Sequence, residues 1–119
     1  MVSLPQSDDP NAREIAEVLE KMWVRFLPDI LERVRALQQA SAALTSGSLS
    51  PSVCEAAESA AHKLAGTLGT FALPRGTELA RELEQAFAAE DGPNAASAPR
   101  IASAVSELRK MVESRKPAI

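Results

Sequence analysis

His62 is the only imidazole in a chain of 119 residues, and it stands in the stretch AHKLAGTLGTF, residues 61–71. Lys63 follows it directly, and two glycines, Gly66 and Gly69, come one and two turns later. Imidazole titrates near neutral pH, so an exposed ring offers a nitrogen lone pair there. Such a ring can bind a metal, move a proton or form a covalent bond as a nucleophile. A structural zinc site needs four nitrogen or sulfur ligands, and one histidine with one cysteine, Cys54, falls short. General-base catalysis calls for a cleft and an orienting partner. Nucleophilic uptake of a group delivered by another molecule stays open, and a phosphoryl group suits a ring with Lys63 beside it. A carboxylate or amide holding the other ring nitrogen as N–H would keep the attacking nitrogen unprotonated.

The spacing predicts where that ring points. Counting about 100° per residue from Val53, the positions Ala57, Ala60, Leu64, Leu68 and Phe71 gather within about 60° of it. His62 then falls near 180°, opposite the stripe and in water, with Gly69 near 160° and Gly66 near 220° on the same face. Each helical glycine costs about 1 kcal/mol relative to alanine. Gly47, Gly76 and Gly92 read as parts of breaks, so Gly66 and Gly69 are the two glycines expected inside a helix. Their missing side chains leave bare backbone, across which another protein can reach the imidazole.

The elements that carry this face are helices. Aromatics make up 3% of the chain and tyrosine is absent, so the core must be built from Leu, Val, Ile and Ala. Period-two runs of β-branched residues are missing. Asp9-Pro10 reads as an N-cap and first helical residue. Ile15, Leu19, Met22 and Phe26 recur at helical spacing, with Val18 and Trp23 beside them, and Pro28 is expected to end or kink this element. Leu27, Ile30, Leu31, Val34, Leu37 and Leu44 continue to the break TSGSLSPS, where Ser52 and Glu55 are spaced as a capping box. The His62 segment follows. ALPRGTE separates it from a helix with Leu79, Leu83, Ala86 and Phe87, and EDGPNAAS separates that one from a last helix with Ile101, Val105, Leu108 and Val112. Arg109, Lys110, Arg115 and Lys116 gather where a helix C-terminus favours cations.

Short connections make successive helices antiparallel, which predicts an all-α, up-down four-helix bundle with an additional N-terminal helix. One domain over residues 1–119 is expected, with residues 1–9 a flexible segment. The net charge of −3 argues against a nucleic-acid or anionic-membrane surface. No apolar run reaches the roughly 20 residues of a membrane span, and MVSLPQSDDP lacks the pattern of a signal peptide. A single cysteine gives no sign of an oxidising compartment, so the expected location is cytoplasmic. Cys54 reads as a small core residue, Glu55 and Glu58 as solvated surface, and Trp23 and Phe26 as packing of the first helix onto the bundle.

The run AAHKLAGTLGTFALPRGTELARELE, residues 60–84, resembles the histidine-containing phosphotransfer (Hpt) domain of two-component phosphorelays. The family motif is roughly H-x-[LI]-K-G, followed by a short stretch ending in Gly-Leu or Gly-Phe. Here it is met by His62, Lys63, Leu64 and Gly66, then Gly69, Thr70, Phe71 and Leu73. The resemblance implies that His62 is phosphorylated on Nε2, that Lys63 lies near the phosphoryl group, and that Glu84 hydrogen-bonds the other ring nitrogen. It implies a receiver-docking face at Ala65, Gly66 and Gly69. Two positions depart from the pattern: Ala65 replaces the usual lysine, and Ala72 replaces the glycine near the motif's end. The implied role is a phosphoryl carrier without a kinase or nucleotide site of its own. Its partners would be receiver domains of response regulators, a histidine kinase, or both, and no cofactor would be its own, the Mg²⁺ residing on the receiver. A monomer is expected. The rival reading is a helical adaptor that binds signalling partners without accepting phosphate.

Overall fold

A computed structural model of the protein describes residues 10–115. The Asp9 cap, Lys116 and the expectation for residues 1–9 lie outside these. The described chain folds into four α-helices without a strand: α1 (Pro10–Ser46), α2 (Pro51–Thr70), α3 (Pro74–Ala88) and α4 (Ala98–Ser114), with a short 3₁₀ turn at Ala95–Ser97. Each helix packs on its neighbours in sequence, and α4 closes back on α1. The core between them is Leu-, Val- and Ala-rich, as the composition requires, with Trp23, Phe71 and Phe87 as its aromatic members.

The additional N-terminal helix is not a separate element. It is the first part of α1, which runs through Pro28 without a break. Proline lacks an N–H, so the carbonyl of Val24 loses its helical partner there. Pro28 and Val24 both lie on the exposed side of α1, where water can satisfy that carbonyl. Trp23 on one side of the proline and Ile30 and Val34 on the other are buried and hold the helix to the bundle across it. At 37 residues, α1 is about 55 Å long against about 30 Å for α2. It therefore outruns its neighbours. Ile15 (61% exposed) and Val18 (55%) lie on the overhang, and Phe26 is 38% exposed, so only Trp23 of that segment is fully packed on the core.

Two further local readings are corrected. The N-cap of α2 is Ser50, whose hydroxyl accepts from the Val53 N–H at 3.2 Å, with Pro51 as the first helical residue. The Ser52–Glu55 capping box does not form. Gly76 lies not in a break but in the first turn of α3, buried, where a Cβ would meet Leu68 Cδ1 at 3.0 Å and Met111 Sδ at 3.1 Å. Pro74 is compatible with this because a first helical residue needs no N–H partner. Arg115, assigned to the C-terminal cation cluster, instead lies with its guanidinium 4.5 Å from the Trp23 ring centroid and 2.9 Å from Glu20.

The turn from α2 to α3 has the bonding of a Schellman motif: Leu73 N–H to Leu68 O at 3.0 Å and Ala72 N–H to Gly69 O at 3.1 Å. The motif puts its fifth position in the left-handed region, and Ala72 sits there at φ 57°. A side chain costs about 1–2 kcal/mol in that conformation, partly offset by glycine's greater freedom in the unfolded chain. Ala72→Gly should therefore stabilise the domain by about 0.5–1 kcal/mol, raising its melting temperature by a few degrees in a calorimetric scan.

Candidate phosphoryl-acceptor site

The outer face of α2 carries the site. Its inner stripe, Ala57, Ala60, Leu64 and Leu68, is buried, which fixes the helix's rotation. His62 is thereby turned outward, with its side chain 74% exposed. On α3, Leu79, Leu83 and Phe87 bury the opposite stripe and bring Glu84 to the edge facing α2. Glu84 Oε2 lies 2.8 Å from His62 Nδ1, and its side chain is 29% exposed. A carboxylate only accepts, so Nδ1 is the ring's N–H and donates to Glu84. Nε2 is left with its lone pair directed at solvent. One half-sheltered carboxylate thus selects the tautomer and orients the ring.

Gly66 and Gly69 are both exposed on this helix. A Cβ at Gly66 would meet nothing within 4 Å, and one at Gly69 would meet only Thr77 Oγ1 at 3.7 Å. Packing within the domain therefore does not require either glycine. Ala65 is different, and its place on the docking face is corrected: it is 6% exposed. Three residues beyond His62, the helix has turned toward α3, and the Ala65 carbonyl accepts a hydrogen bond from Thr77 Oγ1. Lys63 is exposed and lines a shallow groove between α1 and α2 with Asp29, Glu32 and Arg33. Arg81, which the motif does not mark, is exposed one turn before Glu84 on α3. Its i, i+3 spacing from Glu84 was the signal that marks it on the same flank.

Cys54 is the other side chain of nucleophilic type nearby. It is half-buried, and its thiol donates to the Phe87 carbonyl at 3.2 Å. Burial pushes its pKa up, and the Glu58 and Glu55 carboxylates push it the same way. The thiolate, which is the reactive form, is disfavoured. Cys54, Glu55 and Glu58 line an open cleft of about 520 Å³ that also takes in Leu49 and Phe87, and His62 is not part of that lining. Among the described residues, no group of three or more His, Cys, Asp or Glu side chains is placed to hold a metal ion. No helix among them is long and apolar enough to cross a membrane.

The Hpt-domain family matches this chain over residues 11–116. The chain belongs to the Hpt family. It is also similar to Protein RcaC of Microchaete diplosiphon, with 32% identity over 95 residues. That match covers 80% of this chain and 15% of the relative, so the chain spans a small part of the protein it resembles. No solved structure gives a significant match. The all-α bundle and a place in two-component phosphorelay signalling follow from membership of this Hpt family, whose members are phosphotransfer carriers rather than kinases and which work with receivers and kinases.

If the glycine face serves close approach, Gly66→Leu should separate folding from docking. Removing a helical glycine lifts a helix-propensity cost of up to about 1 kcal/mol, so the variant should be at least as stable as wild type. Phosphoryl uptake from a receiver should fall several-fold, while labelling by the small donor phosphoramidate stays unchanged.

Proposed function

We propose that this Hpt domain is a phosphorelay intermediate that carries a phosphoryl group on Nε2 of His62. It takes the group from a receiver's phosphoaspartate, or from a histidine kinase, and passes it to the receiver aspartate of a response regulator. The observation that carries this reading is the His62–Glu84 pair, which holds Nδ1 and leaves Nε2 free in solvent.

In the forward step the Nε2 lone pair attacks phosphorus as the P–O bond to the aspartyl carboxylate breaks. The carboxylate leaves as the anion, and no proton has to be removed from the attacking nitrogen. The phosphorylated ring keeps its proton at Nδ1 and becomes cationic, and Glu84 lies 2.8 Å away to balance that charge. Stabilisation of charge as it develops is the larger part of phosphoryl-transfer catalysis, and most of it would come from the receiver and its Mg²⁺. On this side Lys63, the residue after His62, is the cation offered to the phosphoryl oxygens, with Arg81 exposed one turn before Glu84 on α3. Transfer back is the same path reversed, as suits a carrier working in the cytoplasm between two aspartates.

Glu84→Ala should slow transfer without ending it. A hydrogen bond to a charged group contributes about 1.5–3 kcal/mol, and the ring's exposure puts this one at the low end, giving about a ten-fold loss in rate. The reading itself is tested by incubating the chain with phosphorylated receiver domains and, separately, with phosphoramidate. Acid-labile phosphate on the wild-type chain is the expected result. A chain that binds receivers and stays unlabelled by either donor is an adaptor, and the proposal fails.

A further inference from the structure

Arg81 is a charge without a partner. Arg75 and Arg100 pair with Glu107 and Glu82 between α3 and α4, and Arg115 pairs with Glu20. Arg81 is exposed, and among the described residues no carboxylate lies within ion-pair distance of it.

Contacts on either side of it fix its place. Thr77, Arg81 and Glu84 are spaced by four and three, so they form one line on the flank of α3 that faces α2. At one end of this line Glu84 Oε2 is 2.8 Å from His62 Nδ1. At the other, Thr77 Oγ1 donates to the Ala65 carbonyl at 3.4 Å and lies 3.7 Å from where a Cβ on Gly69 would stand. Arg81 therefore lies alongside the stretch of α2 between His62 and Gly69. At 100° per residue it stands about 40–60° further toward solvent than Thr77 and Glu84, so its side chain rises over the groove rather than into it. No long side chain of α2 stands between it and the ring, because the residues one turn beyond His62 are Ala65 and Gly66. The three residues from Arg81 to Glu84 advance about 4.5 Å along the helix, less than the length of an extended arginine side chain.

We infer that Arg81 is a second cation of the acceptor site, its guanidinium hydrogen-bonding the phosphoryl oxygens once the group is on Nε2 of His62. This rests on His62 being the acceptor. The charges then sort by position. The cationic ring left by phosphorylation is met at Nδ1 by Glu84. The phosphoryl oxygens, on the opposite nitrogen, are met from the α3 side by Arg81. Lys63 comes from the other side: it is about 100° on from His62 around α2 and lines the groove with α1, where the carboxylates of Asp29 and Glu32 share the lining. A guanidinium presents paired N–H donors in one plane, which match two phosphoryl oxygens at once. Arg81 keeps its proton throughout and makes no covalent bond. It offsets charge on the oxygens while the bond from Nε2 to phosphorus forms.

Labelling of the whole chain by phosphoramidate, which needs no docked protein, tests this, with circular dichroism as a control for folding. Arg81→Gln should label about three- to five-fold more slowly than wild type, the effect of one exposed charge-assisted contact, and Arg81→Lys should fall between the two. In nitrogen-proton NMR spectra, the Arg81 Nε–H signal of wild type should move and exchange more slowly with water once His62 is phosphorylated. Arg81→Gln labelled at the wild-type rate overturns the inference, and so does Arg81→Lys as slow as Arg81→Gln. A loss confined to transfer from a receiver makes Arg81 a docking contact and also overturns it, as does an Nε–H signal unmoved by phosphorylation. Each of these leaves His62 as the acceptor. A wild-type chain labelled by neither phosphoramidate nor a receiver overturns the acceptor reading, and this inference with it.

Discussion

A His62→Gln chain takes up no acid-labile phosphate from a phosphorylated receiver, while its helical content and melting temperature stay at the wild-type values. The chemistry half of this expectation follows from the chain having no second imidazole. Cys54, the other candidate nucleophile, is half-buried, hydrogen-bonded to Phe87 and held away from its thiolate form. Glutamine's side-chain nitrogen has its lone pair delocalised into the carbonyl and does not attack phosphorus, so the loss is to background rather than by a fraction. The folding half follows from exposure. The ring is 74% exposed, and its one hydrogen bond is the pair with Glu84. Substitutions at such positions usually move stability by about 0.5 kcal/mol or less. Phosphate transfer is measured by labelling and stability by thermal denaturation on the same sample. Equal labelling of the variant and wild type would remove His62 from the account.

Trp23→Ala is expected to have the largest effect on stability, a loss of about 3–5 kcal/mol. Trp23 is completely buried and anchors the junction of three helices. Its ring meets Phe71, at the end of α2, edge-on with centroids 5.1 Å apart, and the Arg115 guanidinium at the end of α4 lies 4.5 Å from it. Truncation empties the site and leaves Arg115, itself ion-paired with Glu20, facing a void. Against a typical total of about 5–15 kcal/mol this loss unfolds much of the population at physiological temperature. Trp23→Phe separates packing from polarity. The indole Nε1 is buried with no hydrogen-bond partner among the described residues. Phenylalanine removes that unmet donor, whose burial costs about 1–3 kcal/mol, and offsets part of the lost volume. Urea denaturation should show a small change for Trp23→Phe and a large one for Trp23→Ala. Similar large losses in both would mean that the indole nitrogen has a partner.

The outward direction of His62 was legible because it depends on helix rotation alone. Once Ala57, Ala60, Leu64 and Leu68 form a stripe, the angle of His62 follows without knowledge of the neighbours. Glu84 was reachable only through resemblance, since no spacing within one helix says which residue of the next comes within 2.8 Å. Ala65 shows the limit of reading a motif as a surface. Its neighbours in sequence are exposed at 63 and 66, yet its own direction is toward α3. On α1 the periodicity was real, but it could not say where the bundle stops. Ile15 and Trp23 look alike as apolar helical positions, and only the shorter lengths of α2 and α4 decide that one is bare and the other buried. Gly76 was misread because Pro-Arg-Gly looks like a break. A proline at the first helical position and a glycine in close packing give the same letters.

The most direct test is to find the atom that carries the phosphate. The chain, labelled by a phosphorylated receiver and kept at alkaline pH, can be read by nitrogen and phosphorus NMR of the imidazole. A single phosphoryl group on Nε2 of His62, with Nδ1 still protonated toward Glu84, is the result this account requires. Phosphate on Nδ1, or on any other residue, contradicts it.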